Sequence, residues 1–442
     1  MEMIAKVGCS LQRLFGELAE SVEEFAPIVI RRRKFTATSL ARTFILGYLQ
    51  NPQASDEQLA QVAAQCGVFV TPQAIEQRHT PRLVRYLEEL FRRATTIVVG
   101  SNTVLAPLLK RFTHVTVMDS STVRLPDSEA ERFPSCGGLP GSPRAALKLQ
   151  TELDLRSGAI EHIQVETGKS PDGATTRQHA DRPAGSLRIT DLGYFNVAVF
   201  AALLRQKAYV LSRLQFGTNV LSRAGQTLDL LVWLSQQPTP LISAPILLGK
   251  KEQLACRLVA WRLPPELANR RRQKLRQETL RKRGYAPSAA RLAWCDWTIL
   301  ITTAPEKLLN EREAIVLYRA RWQVELLFKR WKSQGLAADL SGSTDVRKMV
   351  RVWSRLIAAL VQHWLVAGCL WNDPRRSLKK ACEVIRQFVA QIVLHLNYRA
   401  KLQQTLKLLT SVVTKTCRRN QRSKPGTFDL LNDCQRLDFR LT

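Results

Sequence analysis

Residues 318–332, with the sequence YRARWQVELLFKRWK, place a single carboxylate among five cationic side chains. For one isolated helix, a solvated ion-pair face with Arg321 and Glu325 four residues apart would explain the pattern. The alternative is a site that binds phosphate and metal together. At about 100° per residue, a continuous helix carries six of these residues on one face: Tyr318, Arg321, Trp322, Glu325, Lys329 and Lys332.

Two aspartates earlier in the chain follow apolar runs that are typical of strands. Asp119 ends VTVMD, and Asp191 ends LRITD. Singly, each is explained as a turn-forming residue, but open α/β sheets also place binding sites where their strands end. Together with Glu325, they would supply three carboxylates, enough to hold two Mg²⁺ ions for an in-line phosphoryl displacement. The cations beside Glu325 would then contact phosphate groups.

The composition favours a polyanionic partner. The chain has 442 residues and a formal net charge of +29 at pH 7, with 45% hydrophobic residues. A folded protein with so large a surplus is expected to bind nucleic acid rather than an anionic membrane. The most apolar run, residues 356–371, contains a glutamine and a histidine and predicts a buried helix. Nine cysteines without a CxxC pair indicate reduced thiols in a cytoplasm, and no secretory signal is expected.

The first 100 residues are expected to be helical and to include a helix-turn-helix outline. A helix capped by Ser55 stops at Gly67, and a second begins near Pro72, with Arg78 facing outward. Such a second helix would enter the major groove of DNA, although two packed helices without a DNA role fit equally well. A basic run provides further expected phosphate contacts: Arg31, Arg32 and Arg33, followed by Lys34.

From residue 114 the pattern predicts a mixed α/β fold with a partly antiparallel sheet. The expected strands are residues 114–122, 146–155, 159–167, 186–195 and 208–214, with a helix over 196–204. Residues 215–306 interrupt this layout. They predict strands at 227–234, 253–261 and 297–303 and a strongly basic helix over 269–284.

The spacing of residues 318–332 resembles a known family. Tyr318, Arg321, Glu325 and Lys332 reproduce the Y-R-E-K signature of DDE insertion-sequence transposases of the type numbered four. VMDSST and ITDLGYF resemble the two aspartate motifs of that family, in the same order. The resemblance covers roughly residues 50–370 and implies an α/β (α+β) ribonuclease-H-like core with a β-rich insertion, flanked by helical terminal domains.

The resemblance also implies the active site and its partners. Asp119, Asp191 and Glu325 would be catalytic residues and metal ligands for Mg²⁺, with Mn²⁺ as a substitute and two ions per site. Tyr318, Arg321 and Lys332 would grip the DNA backbone, assisted by Lys329. The partners would be double-stranded DNA, as inverted repeats and target, and a second copy in a homodimeric synaptic complex. No membrane partner is expected, and the location would be a bacterial cytoplasm, at the nucleoid.

This interpretation divides the chain into five segments. Residues 1–100 would bind DNA ends, 101–214 and 307–371 would form the core, 215–306 the insertion, and 372–442 a helical region for dimerisation or synapsis.

Three functions remain open at this point. The leading one is a cut-and-paste transposase, and the others are a catalytically silent regulator of transposition and a ribonuclease-H-like nuclease. If relatives free the transposon through a DNA hairpin, one base must leave the stack, and an indole could receive it. Trp297 is the first choice and Trp294 its rival, whereas a core position for Trp297 is the structural alternative.

Overall fold

The computed structural model describes residues 2–28, 34–104, 106–137, 142–336, 343–371, 373, 375–420 and 424–438. The chain forms two units. The first unit contains Met1–Val104, Ser120–Ser170 and Val324–Gln421, and the second contains Leu105–Asp119, Pro171–Gln323 and Arg422–Thr442. The two units do not test the five segments expected from the sequence, which remain a prediction.

The secondary structure is mixed. The strands found in these ranges are β1 Val115–Arg124, β2 Ala146–Asp154, β3 Ile160–Thr167, β4 Leu187–Thr190, β5 Tyr209–Arg213, β6 Val220–Leu221, β7 Leu241–Leu248, β8 Leu254–Arg262 and β9 Trp297–Thr302. The α-helices are α1 Glu2–Arg13, α2 Ala19–Phe25, α3 Ala37–Gln50, α4 Asp56–Gln65, α5 Pro72–Glu76, α6 Pro81–Ala94, α7 Pro107–Lys110, α8 Val197–Arg205, α9 Leu230–Ser235, α10 Pro265–Arg283, α11 Ala289–Trp294, α12 Glu311–Arg319, α13 Trp322–Trp331, α14 Asp345–Leu370, α15 Leu378–His395, α16 Arg399–Thr416 and α17 Thr427–Asn432.

The strands form one sheet in the order β3-β2-β1-β4-β5-β9-β8-β7-β6. β1 pairs with β4 in parallel, and β4 pairs with β5 in parallel. β9 pairs antiparallel with β5 on one side and with β8 on the other, so the strands of residues 215–306 extend the same sheet. This arrangement confirms the predicted mixed α/β class.

The core of the second unit explains why these segments are strands. The alternating apolar residues of β8 and β9 pack beneath α8, whose first turn is capped by the Asn196 side chain. Leu258, Ile301 and Val210 are fully buried there. Burial of such side chains contributes roughly 1.5–3 kcal/mol each, which fixes the register of the strands.

One predicted strand is wrong. Residues 227–234 contain the helix α9, because the Asp229 side chain accepts a hydrogen bond from the Val232 backbone N–H at 3.2 Å and caps a helical turn. β7 was not predicted, since Pro245 lies inside it and proline is unusual in a strand.

The first unit is built around α14, against which α3, α6, α15 and α16 pack. By length and composition α14 could cross a membrane, but 89% of its most apolar window is buried inside the protein. It is therefore the buried helix that the apolar run predicts.

Candidate active site

Asp119 and Asp191 occupy equivalent positions, directly after the paired residues of two adjacent parallel strands. The β1–β4 pairing runs from Val115 opposite Leu187 to Met118 opposite Thr190, and the two aspartates come next on each strand. β4 ends at Thr190, just before Asp191, and residues 192–194 form a 3-10 turn where the expected strand ran on to residue 195. β1, however, continues to Arg124, so Asp119 ends the parallel pairing and not the strand itself. The parallel pairing thus places both aspartates at the same edge of the sheet.

Residues 318–332 do not form one continuous helix, which corrects the single-face arrangement expected from the sequence. α12 ends at Arg319, and α13 begins at Trp322. The Arg321 N–H donates to the Tyr318 carbonyl at 3.1 Å, three residues back, so the turn tightens where an α-helix would reach four residues back. A second break follows, since Lys332 opens a π-helical turn that ends at Leu336.

Two side chains at or just after the end of α12 contact the two aspartates. The Tyr318 hydroxyl donates to Asp191 Oδ1 at 3.2 Å. The Arg321 Nη1 lies 3.4 Å from Asp119 Oδ2, with side chains that are 15% and 19% exposed. At this low exposure the pair is less screened by solvent than a surface ion pair would be. Each aspartate therefore has its own partner from the four residues 318–321.

Tyr318 is held in its protonated form. Burial raises the pKa of its hydroxyl well above the ordinary value, and the negative charge of Asp191 raises it further. The positive charges of Arg321 and Arg213 act in the opposite direction, but they do not cancel this effect. The hydroxyl therefore remains a hydrogen-bond donor to Asp191 at any physiological pH.

Arg213 belongs to this site, although the sequence did not draw attention to it. It is the last residue of β5, the strand that follows β4 in the parallel pairing, and its charge acts on Tyr318. The available signal was the one that identified Asp191, a charged residue ending a short apolar strand.

Glu325 lies in the first turn of α13 and belongs to the first unit. It is half-buried, whereas Lys329 and Lys332 are exposed. Leu327, Phe328 and Trp331 are buried on the other side of the helix and fix its rotation. A carboxylate in the first turn is favoured by the helix dipole.

A buried polar chain anchors the end of α13. Arg330 Nη2 lies 3.5 Å from His363 Nδ1, and His363 Nε2 lies 2.8 Å from the Gly158 carbonyl. Burial, and then the charge of Arg330, lower the pKa of His363 to about 3. The imidazole is therefore neutral, donating from Nε2 to the carbonyl and accepting from the guanidinium at Nδ1.

The remaining predicted residues have different surroundings. Trp297 is 6% exposed in the core of the second unit, with the Arg262 guanidinium 4.7 Å from its ring centroid. Trp294 is half-buried and meets the Phe216 ring edge-to-face at 5.3 Å. Burial therefore favours the core interpretation of Trp297, and Trp294 is the more accessible indole.

At the N-terminus, α4 and α5 match the predicted pair of helices, although α5 has only five residues. Ile75 is buried, as expected of the inward face. Arg78 follows α5, with its guanidinium 5.5 Å from the centroid of the Phe35 ring. Arg31, Arg32 and Arg33 lie outside the described residues.

The fold and the paired carboxylates define a class of protein. A sheet with β1, β4 and β5 parallel, β2 and β3 antiparallel, and acids at the end of the β1–β4 pairing is ribonuclease-H-like. Residues 110–361 match the family model described as "Transposase DDE domain". The chain therefore belongs to the DDE transposase family.

Curated relatives agree with this assignment over most of the chain. The transposase for insertion sequence element IS231F of Bacillus thuringiensis subsp. israelensis is 27% identical over 95% of this chain and 94% of its own length. That of IS231B from subsp. berliner is 26% identical over 79% and 77%. That of IS1151 from Clostridium perfringens is 24% identical over 70% of both chains.

Proposed function

We propose that this protein is a cut-and-paste transposase that binds the inverted-repeat ends of an insertion sequence, cleaves them through a hairpin and joins them to target DNA. The observation that carries the proposal is the pair of contacts from Tyr318 to Asp191 and from Arg321 to Asp119. Tyr318 and Arg321, the two residues of the signature motif that precede Glu325, each contact one acid of the expected triad.

The donor set fits a hard divalent cation. Members of this family use divalent metal ions, and carboxylate oxygens are the ligands that Mg²⁺ prefers. We assign Asp119, Asp191 and Glu325 as the residues that would hold Mg²⁺, with Mn²⁺ as a substitute and two ions per site. When bound, the metal would activate the attacking oxygen and stabilise the leaving one.

The side chains around the acids have distinct tasks in this proposal. Tyr318 orients Asp191 through its hydroxyl, and Arg321 neutralises and positions Asp119. The exposed Lys329 and Lys332 would be the principal contacts for the DNA backbone near the cleaved bond. Arg321 would share its donors with a phosphate once Asp119 binds metal.

We assign recognition of the inverted repeat to the helices of the first 100 residues. α4 and α5 form a capped helix pair, with Gln73 and Gln77 exposed and Arg78 beside them. Amide side chains of this kind read adenine in the major groove, whereas arginine reads guanine or contacts phosphate. Two copies would act together, since two ends must be paired before joining, and they would work at the bacterial nucleoid.

For the hairpin step, we assign the stacking residue to Trp294 and retain Trp297 as its support. Trp294 and Phe216 form a partly exposed aromatic pair, with the Arg291 guanidinium 5.6 Å from the Phe216 ring centroid. Base stacking on such a ring contributes about 1–3 kcal/mol. Trp294→Ala should slow hairpin formation while leaving the first nick unchanged. The stacking residue would instead be Trp297 if Trp294→Ala gives a normal hairpin yield and only a folded Trp297→Ala protein shows a reduced one.

A supercoiled plasmid carrying the cognate ends tests the function directly. With Mg²⁺, the wild-type protein should release the element and insert it into a second plasmid. Release without joining would identify a nuclease, and end binding without cleavage would identify a regulator. Glu131→Gln, at an exposed acid outside the motifs, is the matched control for carboxylate substitutions.

A further inference from the structure

The most basic helix of the second unit is α10, in the inserted residues. It carries eight arginines and lysines and only two acids, Glu266 and Glu278. Neither the triad nor the end of α12 uses any of these cations. Its apolar residues are few: Ala268 is buried and Leu267 and Leu275 are half-buried, whereas Leu280 is exposed.

Two of the eight cations fasten the helix to the sheet. Arg271 donates to the Trp297 carbonyl at 3.2 Å. Arg272 forms an ion pair with Asp296 and also donates to Asn269 Oδ1 at 2.7 Å. Thr279 is buried further along the same side, and Gly284, in the left-handed conformation, ends the helix. α10 therefore has a fixed inner face.

The opposite face presents an outer stripe, defined as Arg270, Lys274, Gln277 and Arg281. These residues recur at intervals of four, three and four, so they fall within about 60° around the axis and extend about 16 Å along it. All four are exposed. Within the described ranges, Arg270 and Arg281 take part in no ion pair, and Lys274 meets Glu278 only at 3.9 Å.

A stripe of like charges four residues apart weakens a helix on its own, so its presence favours a polyanion that compensates the repulsion. An anionic membrane fits less well than DNA, because a membrane-surface helix needs an apolar face to insert, and Leu280 is the one exposed leucine of α10. Among the exposed side chains here, the large apolar ones, Leu280 and Tyr285, lie near the C-terminal end of the helix.

We propose that the outer stripe of α10 is a second DNA-binding surface, which grips the phosphates of duplex DNA without reading its sequence. The proposal rests on the DNA-acting function above and adds a site separate from the N-terminal helices and from the acids. A 16 Å stripe spans about five base steps at 3.4 Å each, enough for contacts with several phosphates of one strand.

The test uses the full-length protein and a random-sequence duplex, with affinity measured against salt concentration. Arg270→Gln, Lys274→Gln and Arg281→Gln are combined in one variant, called here the stripe variant. Each lost phosphate contact should reduce the slope of log K against log salt by about 0.9, so the slope should fall by about two to three. Affinity at about 0.1 M salt should fall at least tenfold.

A matched control removes the same charge elsewhere. Lys379→Gln, Lys407→Gln and Lys415→Gln neutralise three exposed lysines of α15 and α16, and this variant should keep the wild-type slope to within about one unit. Replacing Arg270 and Arg281 by lysine should also keep the slope, because charge and not base readout is proposed. An equal loss in the stripe and control variants would overturn the proposal, since net charge alone would then explain both.

Two further outcomes are distinguishable. If the stripe variant keeps its affinity for duplex DNA but loses binding to phosphatidylserine–phosphatidylcholine vesicles, α10 is a membrane surface and the proposal is wrong. If the wild-type protein binds neither its cognate ends nor random duplex at low salt, the proposed DNA function itself fails. Retained discrimination of the cognate ends by the stripe variant would support two separate DNA-binding surfaces.

Discussion

Two segments of this chain that carry several cations, α10 and residues 318–332, have different environments. In α10, the cations of the outer stripe face solvent, whereas Arg271 and Arg272 contact residues at the start of β9. At the end of α12, by contrast, Arg321 and Tyr318 point at the aspartates of neighbouring strands. The cation content of a helix therefore indicates a polyanionic partner. Whether a given cation binds phosphate or positions a carboxylate depends on the residues that surround it in the fold.

The largest expected effect concerns the acids. Asp119→Asn, Asp191→Asn or Glu325→Gln should each lower the rate of metal-dependent end cleavage by at least about 10³-fold, because each removes one anionic ligand. End binding, measured in parallel, should remain, as should cleavage by Glu131→Gln. If any one of the three variants cleaves at near wild-type rate, that residue has no place in the triad.

The next effect concerns how α13 is anchored. Gly158 has φ = +71°, and a Cβ on it would lie 2.1 Å from Cδ2 of the Trp371 ring. We expect Gly158→Ala to lower the free energy of unfolding by several kcal/mol, about 3 or more, through overpacking and backbone strain. Denaturant titration measures the change.

Gly67→Ala is the control for the conformational part of this effect. Its φ is +82°, but no atom would meet the added Cβ within 4 Å, so about 1–2 kcal/mol is expected from strain alone. Equal losses for Gly158→Ala and Gly67→Ala would show that the packing of Trp371 on Gly158 contributes nothing.

A smaller effect is a pH dependence of stability. The folded pKa of His363, about 3, lies below its ordinary value of 6.5, so the unfolded chain takes up the proton first as the pH falls. The stabilisation is complete above pH 6.5 and is lost progressively between 6.5 and about 3, by at most about 1.4 kcal/mol per pH unit.

Unfolding curves at several pH values measure this slope. His363→Gln should flatten it, since glutamine does not titrate and its amide can still donate to the Gly158 carbonyl. His179→Gln, at an exposed histidine, should leave the slope unchanged. A wild-type slope in His363→Gln would mean that other groups carry the acid sensitivity.

The sequence predicted the fold class and most of its strands because their apolar periodicity is local information. It also drew attention to Asp119 and Asp191, which lie next to each other at the end of the β1–β4 pairing, since acids that end apolar runs are visible without a structure. It did not reveal the break after Arg319, where no glycine or proline marks the change from a four-residue to a three-residue hydrogen bond. That break depends on tertiary contacts, which redirect Tyr318 and Arg321 toward the aspartates.

The burial of Trp297 could not be decided from the sequence either. A tryptophan at the start of a strand can face either side, and the side is decided by packing between distant segments. The same limit applies to Arg213, whose charge acts on Tyr318 and whose place in the sheet depends on the parallel pairing of β5 with β4.

We propose that the end of α12 acts on Asp119 and Asp191, whereas the outer stripe of α10 acts on phosphate. The most direct test is the single-turnover rate of end cleavage with the protein saturating, measured for Tyr318→Phe and for the stripe variant, together with their affinities. Tyr318→Phe should cleave about 10–100-fold more slowly, because Asp191 loses its positioning hydrogen bond, with unchanged affinity for the ends. The stripe variant should show weaker affinity and an unchanged rate. A normal rate with weakened affinity in Tyr318→Phe, or a slow rate in the stripe variant, would contradict the account.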